Sequence, residues 1–154
     1  MTILGLDPAA RCGWSLSTGD HGVWEITSKS DKHPGRRLER LRKFIYKAHR
    51  EHRLTVIATE DASFGSNNLN TAAMHNELRG VIKLAAAELE LRVILVKPSQ
   101  LKKWLTGHGR AQKQDMIDSI RIRFGIHVSD DNTADAIAVM EYAKAMVNQK
   151  EMAG

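Results

Sequence analysis

Cysteine occurs once in the chain, as Cys12. No intrachain disulfide can form, and a zinc site built on cysteine thiolates is excluded; a reducing compartment is compatible with this usage. The histidine-bearing segments lack the two-histidine helical spacing of zinc proteases. No apolar run reaches the roughly 20 residues that span a bilayer, and the N-terminus lacks the basic-then-apolar pattern of a signal peptide. A Gly-rich phosphate loop is missing, and 154 residues are short for the two lobes of an actin-like nucleotide-binding protein. Internal repeats, low-complexity tracts and linkers are missing too. The expectation is one domain over residues 1–154 with a sizeable core, intracellular and without a membrane partner.

Positive charge is in modest excess, with 23 Lys and Arg against 18 Asp and Glu and a net charge of +5. Such a balance favours a polyanionic partner without establishing one. Hydrophobic periodicity divides the chain into short strands and longer helices. Residues 2–6, 13–17 and 22–27 read as strands of an antiparallel meander. Leu38, Leu41, Phe44, Ile45 and Ala48 space a helix between Pro34 and His52. Leu54–Ala58 is a branched, buried strand, 68–89 a long helix, and Arg92–Val96 a further strand. Ser99 is a candidate cap for a short helix ending at Leu105. Gly107–Arg110 is a basic loop, 112–124 a helix, and 132–147 a last helix followed by a fraying tail. The order is βββαβαβααα, a mixed sheet flanked by helices.

Three carboxylates sit at the ends of apolar segments: Asp7 after Ile3-Leu4-Gly5-Leu6, Glu60 after 54–59, and Asp135 before Ala136-Ile137-Ala138-Val139. Desolvating such groups is costly unless something compensates them. Each has an ordinary reading: Asp7 in a surface turn before Pro8, Asp135 complementing a helix dipole. Strand alternation sends Glu60 and Asp61 to opposite faces, so one of the two shares any common site. Taken together, the three suggest a convergent cluster neutralised by divalent cations. Two Mg2+ ions about 3.5–4 Å apart, bridged by one carboxylate, serve phosphodiester hydrolysis, and Asp7 is the candidate bridge.

Ile3-Leu4-Gly5-Leu6-Asp7-Pro8 followed by Gly13-Trp14-Ser15 resembles the opening of the RuvC-type Holliday junction resolvases. Ile57-Ala58-Thr59-Glu60 then matches, followed by an aromatic loop and Arg79-Gly80-Val81. Next come Lys97-Pro98-Ser99, Lys102-Lys103, Gly107-His108-Gly109-Arg110-Ala111-Gln112-Lys113 and Ala134-Asp135-Ala136-Ile137-Ala138. The pieces keep the family's order over about residues 2–143. The resemblance implies a ribonuclease H-like α/β fold with a mixed five-stranded sheet. It further implies a homodimer that makes paired symmetric cuts in four-way DNA junctions, with Mg2+ or Mn2+, two ions per active site. Asp7, Glu60 and Asp135 become metal ligands, and the 68–89 helix becomes part of the dimer interface. The family's fourth ligand lies three residues before the last aspartate, where this chain has Asn132. Asp131, at offset four, shares the helix face and is the favoured substitute; Asn132 remains the alternative, and Asp130 is a candidate cap.

By the same resemblance, Lys102 and Lys113 act near the scissile phosphate, where an ammonium can neutralise charge or stabilise a leaving oxygen. Lys103 and Arg110 would contact the DNA backbone. Phe64, in the loop after Glu60, is either tucked into the core or stacked on bases at an opened junction. The basic run from Arg36 to Arg53 is read as a solvated helix face. The compact size and altered acidic motif also resemble phage-encoded members. A broader flap or fork nuclease and a non-catalytic junction-binding module remain the competing readings.

Overall fold

The computed structural model describes residues 1–62 and 68–154. Three strands open the chain: β1 (Ile3–Asp7), β2 (Arg11–Leu16) and β3 (His21–Glu25). Helix α1 (Arg36–His52), strand β4 (Val56–Glu60), helix α2 (Leu69–Glu88) and strand β5 (Arg92–Val96) follow. Helices α3 (Pro98–Thr106), α4 (Lys113–Phe124) and α5 (Asp131–Ala153) complete it. The strands form one sheet in the order β3-β2-β1-β4-β5. The β1–β2 and β2–β3 pairs are antiparallel, as the meander predicts, while β1–β4 and β4–β5 are parallel.

Two apolar cores follow from the two-residue period of the strands. Leu4, Leu6, Cys12, Leu16 and Ile57 face α1 and α2, where they meet Leu41, Ile45, Leu78, Ile82 and Ala85. Ile3, Val56, Ala58 and Val96 face the other way, against Ile137, Val139, Met140 and Ala143 of α5, with α3 and α4 alongside. The result is helices, sheet, helices, with α5 lying across β1, β2 and β4.

α5 comes unusually close to the sheet. A Cβ on Gly5 would stand 2.5 Å from the Ala136 carbonyl oxygen, and one on Gly13 only 1.9 Å from that of Asn132. Both glycines, and the buried Ala134, Ala136 and Ala138, are small because backbone meets backbone here. Gly13 is also the register partner of Asp7, so the tightest contact lies beside a candidate site residue.

Two helix ends differ from the sequence-based expectation. Ser99 lies inside α3, not at its cap: Pro98 takes the first helical position, where its fixed φ and missing N–H are harmless, and Lys97 precedes it. The last helix starts at Asp131 and runs on to Ala153, with no fraying break at Val147. After Asn148 the tail from 149 to 153 holds Gln, Lys, Glu, Met and Ala, good helix formers, and the first glycine is Gly154.

The basic run on α1 is occupied within the chain. Arg36 and Lys43 pair with Glu39, Arg37 with Glu77, Arg40 with Asp31, Arg42 with Glu88 and Lys47 with Glu51. Arg37 and Arg42 thus tie α1 to α2, and Arg40 ties it to the 26–35 segment.

Gly13→Ala and Gly5→Ala are each expected to destabilise the protein by about 1–3 kcal/mol in urea unfolding, the usual effect of overpacking. Unchanged midpoints in both would contradict the backbone contact.

Candidate active site

β1 and β4 run parallel with Leu6 opposite Thr59, so Asp7 and Glu60 end neighbouring strands at the same edge of the sheet. Strands of a sheet lie about 4.8 Å apart, and the crevice beyond their carboxyl ends is where open α/β sheets place ligands. Alternation settles the faces. Ile3 and Gly5 pack toward α5, hence so does Asp7; Val56 and Ala58 do the same, hence so does Glu60. Asp61 turns away: its N–H donates to the Val96 carbonyl at 2.8 Å, and its carboxylate accepts from Ala62 N–H. Glu60, not Asp61, belongs to the cluster.

From the opposite side, α5 brings Asp131 and Asp135, one turn apart on one face. Asp130 is the N-cap, its carboxylate accepting from Asn132 N–H at 3.1 Å, as its offset predicts. Thr133 is buried, its hydroxyl 3.1 Å from Asp130 Oδ2 and 3.4 Å from the Gly22 carbonyl. These bonds, and the Gly13 contact, fix where α5 begins.

The electrostatics record how close the carboxylates are. Burial pushes Asp7 up to about 8, with Asp135, Glu60 and Asp131 adding repulsion and Lys113 opposing them. Asp135 rises to about 7 through burial and then the charges of Glu60 and Asp131, against Lys113 and Lys102. Glu60 is also raised by burial, with Lys102 and Arg79 pulling it down. Asp131 is held below its ordinary value by its hydrogen bond with Lys113, the first residue of α4. Four acids therefore share one field, partly offset by two lysines.

Of the other candidates, Lys102 and Lys113 reach this field. Lys103, one residue and 100° further round α3, is exposed, as is Arg110 in the turn between α3 and α4. Phe64 lies outside the described residues. Two contributors were not legible as site residues. Arg79 of α2 donates from Nε to the Glu60 carbonyl at 2.8 Å and lowers the Glu60 carboxyl. Gly13 makes room for the start of α5. An arginine within Leu78-Arg79-Gly80-Val81-Ile82 was the available signal for the first. Beside Glu60, Asp61, Lys97, Ser99, Lys102 and Gly109 line an open groove of about 530 Å3.

All the donors are hard oxygens, and their mutual repulsion is what a hard divalent cation would relieve, so the set fits Mg2+ or Mn2+ rather than a soft metal. Among the described residues, no three such side chains already form a finished ligand group; Asp131 is turned to Lys113.

Because Asp7 and Asp135 hold protons in the metal-free fold that the unfolded chain releases near pH 4, stability is lost as pH rises from about 4 toward 7 and 8. In EDTA, urea unfolding is expected to show this fall between pH 5 and pH 8, and a shallower fall for Asp7→Asn. Equal slopes would mean that Asp7 ionises without hindrance in the fold.

A family described as crossover junction endodeoxyribonuclease RuvC matches residues 3–141. A protein of that name from Heliobacterium modesticaldum is 33% identical over 150 residues, covering 90% of this chain and 91% of its own. Another, from Roseiflexus, is 30% identical and covers 96% and 95%. Among solved structures, Thermus thermophilus RuvC superposes with a TM-score of 0.75 at 24% identity, covering 91% of both chains. The same protein in complex with Holliday junction substrate gives 0.77 at 22%, over 91% and 90%. At these identities the structures establish the fold, a mixed five-stranded sheet flanked by helices. With the family match spanning both ends of the acidic cluster, from Asp7 to Asp135, the chain belongs to the RuvC family of crossover junction endodeoxyribonucleases.

Proposed function

We propose that residues 1–154 form one nuclease domain that resolves four-way DNA junctions by metal-dependent, paired phosphodiester hydrolysis. The observation that carries this reading is the convergence of Asp7, Glu60 and Asp135 at one edge of the sheet, under α5, where Glu60 acts on both aspartates and Asp135 on Asp7. Asp7, central in the sheet, with Glu60 and Asp135, would hold the metal. Asp131 would be the fourth ligand in preference to Asn132, since its charge acts on both Asp7 and Asp135. When bound, two Mg2+ ions, or Mn2+ in their place, supply Lewis acidity and favour ionised water at neutral pH.

The chain's own residues do the rest. Lys102 and Lys113 neutralise the scissile phosphate and the leaving oxygen. The groove with Lys97 and Lys102 takes the adjoining backbone, with Lys103 and Arg110 as exposed contacts; Phe64 is kept as the residue that stacks at the opened junction. In-line attack leaves a 5′-phosphate and a 3′-hydroxyl.

Paired cuts need two sites, and the outer face of α2 supports a homodimer. Leu69 is 83% exposed and Leu84 53%. Ala73, Gly80 and Ala87 are exposed between and beyond them, all within about 60° of one line along the helix at 100° per residue. An apolar stripe on an outward helix face favours a second copy. No described helix is long and apolar enough to cross a membrane.

A labelled four-way junction and a linear duplex, with Mg2+, Mn2+ or EDTA, test the activity. Wild type is expected to nick the junction symmetrically only with metal, and Asp7→Asn to slow this by on the order of 10²–10³-fold. Equal cutting of flaps and forks would assign a broader branched-DNA nuclease. Binding without cutting in either metal would assign a junction-binding module. For the dimer, Leu84→Glu is expected to give monomers by light scattering and to replace paired cuts with unpaired nicks; an unchanged mass would remove α2 from the interface.

A further inference from the structure

Arg123, in the last turn of α4, leaves its own helix to finish another. Its Nη1 donates to the Trp104 carbonyl at 2.8 Å and to the Leu105 carbonyl at 3.2 Å. Both carbonyls belong to the last turn of α3, where a helix has no N–H of its own to offer. The guanidinium also lies 4.3 Å from the centroid of the Trp104 ring and 5.3 Å from that of Phe124. Trp104 stacks toward Phe124 at 6.4 Å and meets Tyr142 of α5 edge-on at 5.4 Å. One arginine thus caps α3 from α4 and closes an aromatic cluster that includes α5.

The position of this staple matters for the site. α3 carries Lys102 and α4 begins with Lys113; the turn 107–112 joins the two helices, and Leu101, Leu105, Met116 and Ile120 share one core between them. Lys102 precedes Trp104 by two residues, about 200° round α3, so the helix presents Trp104 to the staple and Lys102 to Glu60 and Asp135. With α4 packed on α5, the angle between α3 and α4 decides where the Lys102 ammonium stands relative to the carboxylates. Charge alone does not do this: bonding two carbonyls while lying close to two rings suits a planar guanidinium.

We propose that Arg123 is a positioning residue for the reaction, which fixes α3 against α4 and so holds Lys102 at the scissile phosphate. This rests on the nuclease reading above. The contact is absent from every motif that carried the family resemblance.

Two measurements test it. Spin labels on Gln100 of α3 and Gln114 of α4, with Cys12 buried and unlabelled, report the angle without reference to activity. A single narrow distance distribution is expected for wild type, broadened by Arg123→Ala and by Arg123→Lys. An unchanged distribution would overturn the proposal whatever the enzyme does. The second is single-turnover junction cleavage at saturating enzyme and metal. Arg123→Ala is expected to slow it by about 10- to 100-fold, the usual consequence of displacing a reacting group by an ångström or less, with junction affinity and Mn2+ affinity held within about twofold. In a Lys102→Ala background the same change is expected to have less than about a twofold effect, because the residue it acts through is gone. Equal losses in both backgrounds, or losses that follow junction affinity or melting temperature, would overturn the positioning role. A broadened distribution with a wild type that never cuts would sink the nuclease reading and the positioning role with it, leaving Arg123 as a cap alone.

Discussion

Everything at the acidic edge of this molecule depends on α5 lying directly on the backbone of β1 and β2. At Gly13 there is no room for even a methyl group beneath the Asn132 carbonyl, and at Gly5 the Ala136 carbonyl and Met140 leave as little. That contact sets the depth of α5, and depth decides whether Asp135 stands over Asp7 and Glu60 or above them in solvent. The same closeness removes water and raises the carboxyls. Tight packing and electrostatic stress are thus one feature seen from two sides, and the stress is what makes the edge receptive to a hard cation.

Charge is distributed accordingly. Most cations of α1 are already paired: Arg37, Arg40 and Arg42 bind the helix to its neighbours through Glu77, Asp31 and Glu88, and Arg36, Lys43 and Lys47 pair within it. The lysines that touch the acidic cluster are few and come from the opposite layer, α3 and α4. Lys113 holds Asp131 without burying it, an exposed pair worth little to stability and easily exchanged. A net positive charge at the level of composition therefore says less about the DNA-facing surface than the placement of two side chains does.

That placement is delegated. Arg79 braces the end of β4 through the Glu60 carbonyl, and Arg123 braces the end of α3 through two more. In both cases an arginine far along the chain supports a segment that carries a charged group. Arg79 stood in a motif of the resemblance and Arg123 in none, but neither contact could be read from sequence, since its partner is a main-chain oxygen, which every residue possesses. The acidic residues were legible because a carboxylate at the end of an apolar strand is chemically anomalous wherever it occurs.

The order of strands and helices was readable because periods of 2 and 3.6 are local properties; alternation likewise showed that Glu60 and Asp61 face opposite ways, and the β1–β4 register put Glu60 on the face of Asp7. The helix ends were read less well: Pro98 rather than Ser99 opens α3, and α5 outlasts its last buried residue, Val147, because propensity continues where burial stops. Asp131 was favoured over Asn132 in sequence, both offsets lying near one helix face; in the fold its charge acts on Asp7 and Asp135. The sequence by itself determined which groups would be costly to bury, and hence that a charged partner was needed. Only the tertiary structure decided which lysines share the edge, which charges of α1 are spent, and how near α5 comes, because these depend on distances between segments tens of residues apart, set by backbone contact rather than by residue type.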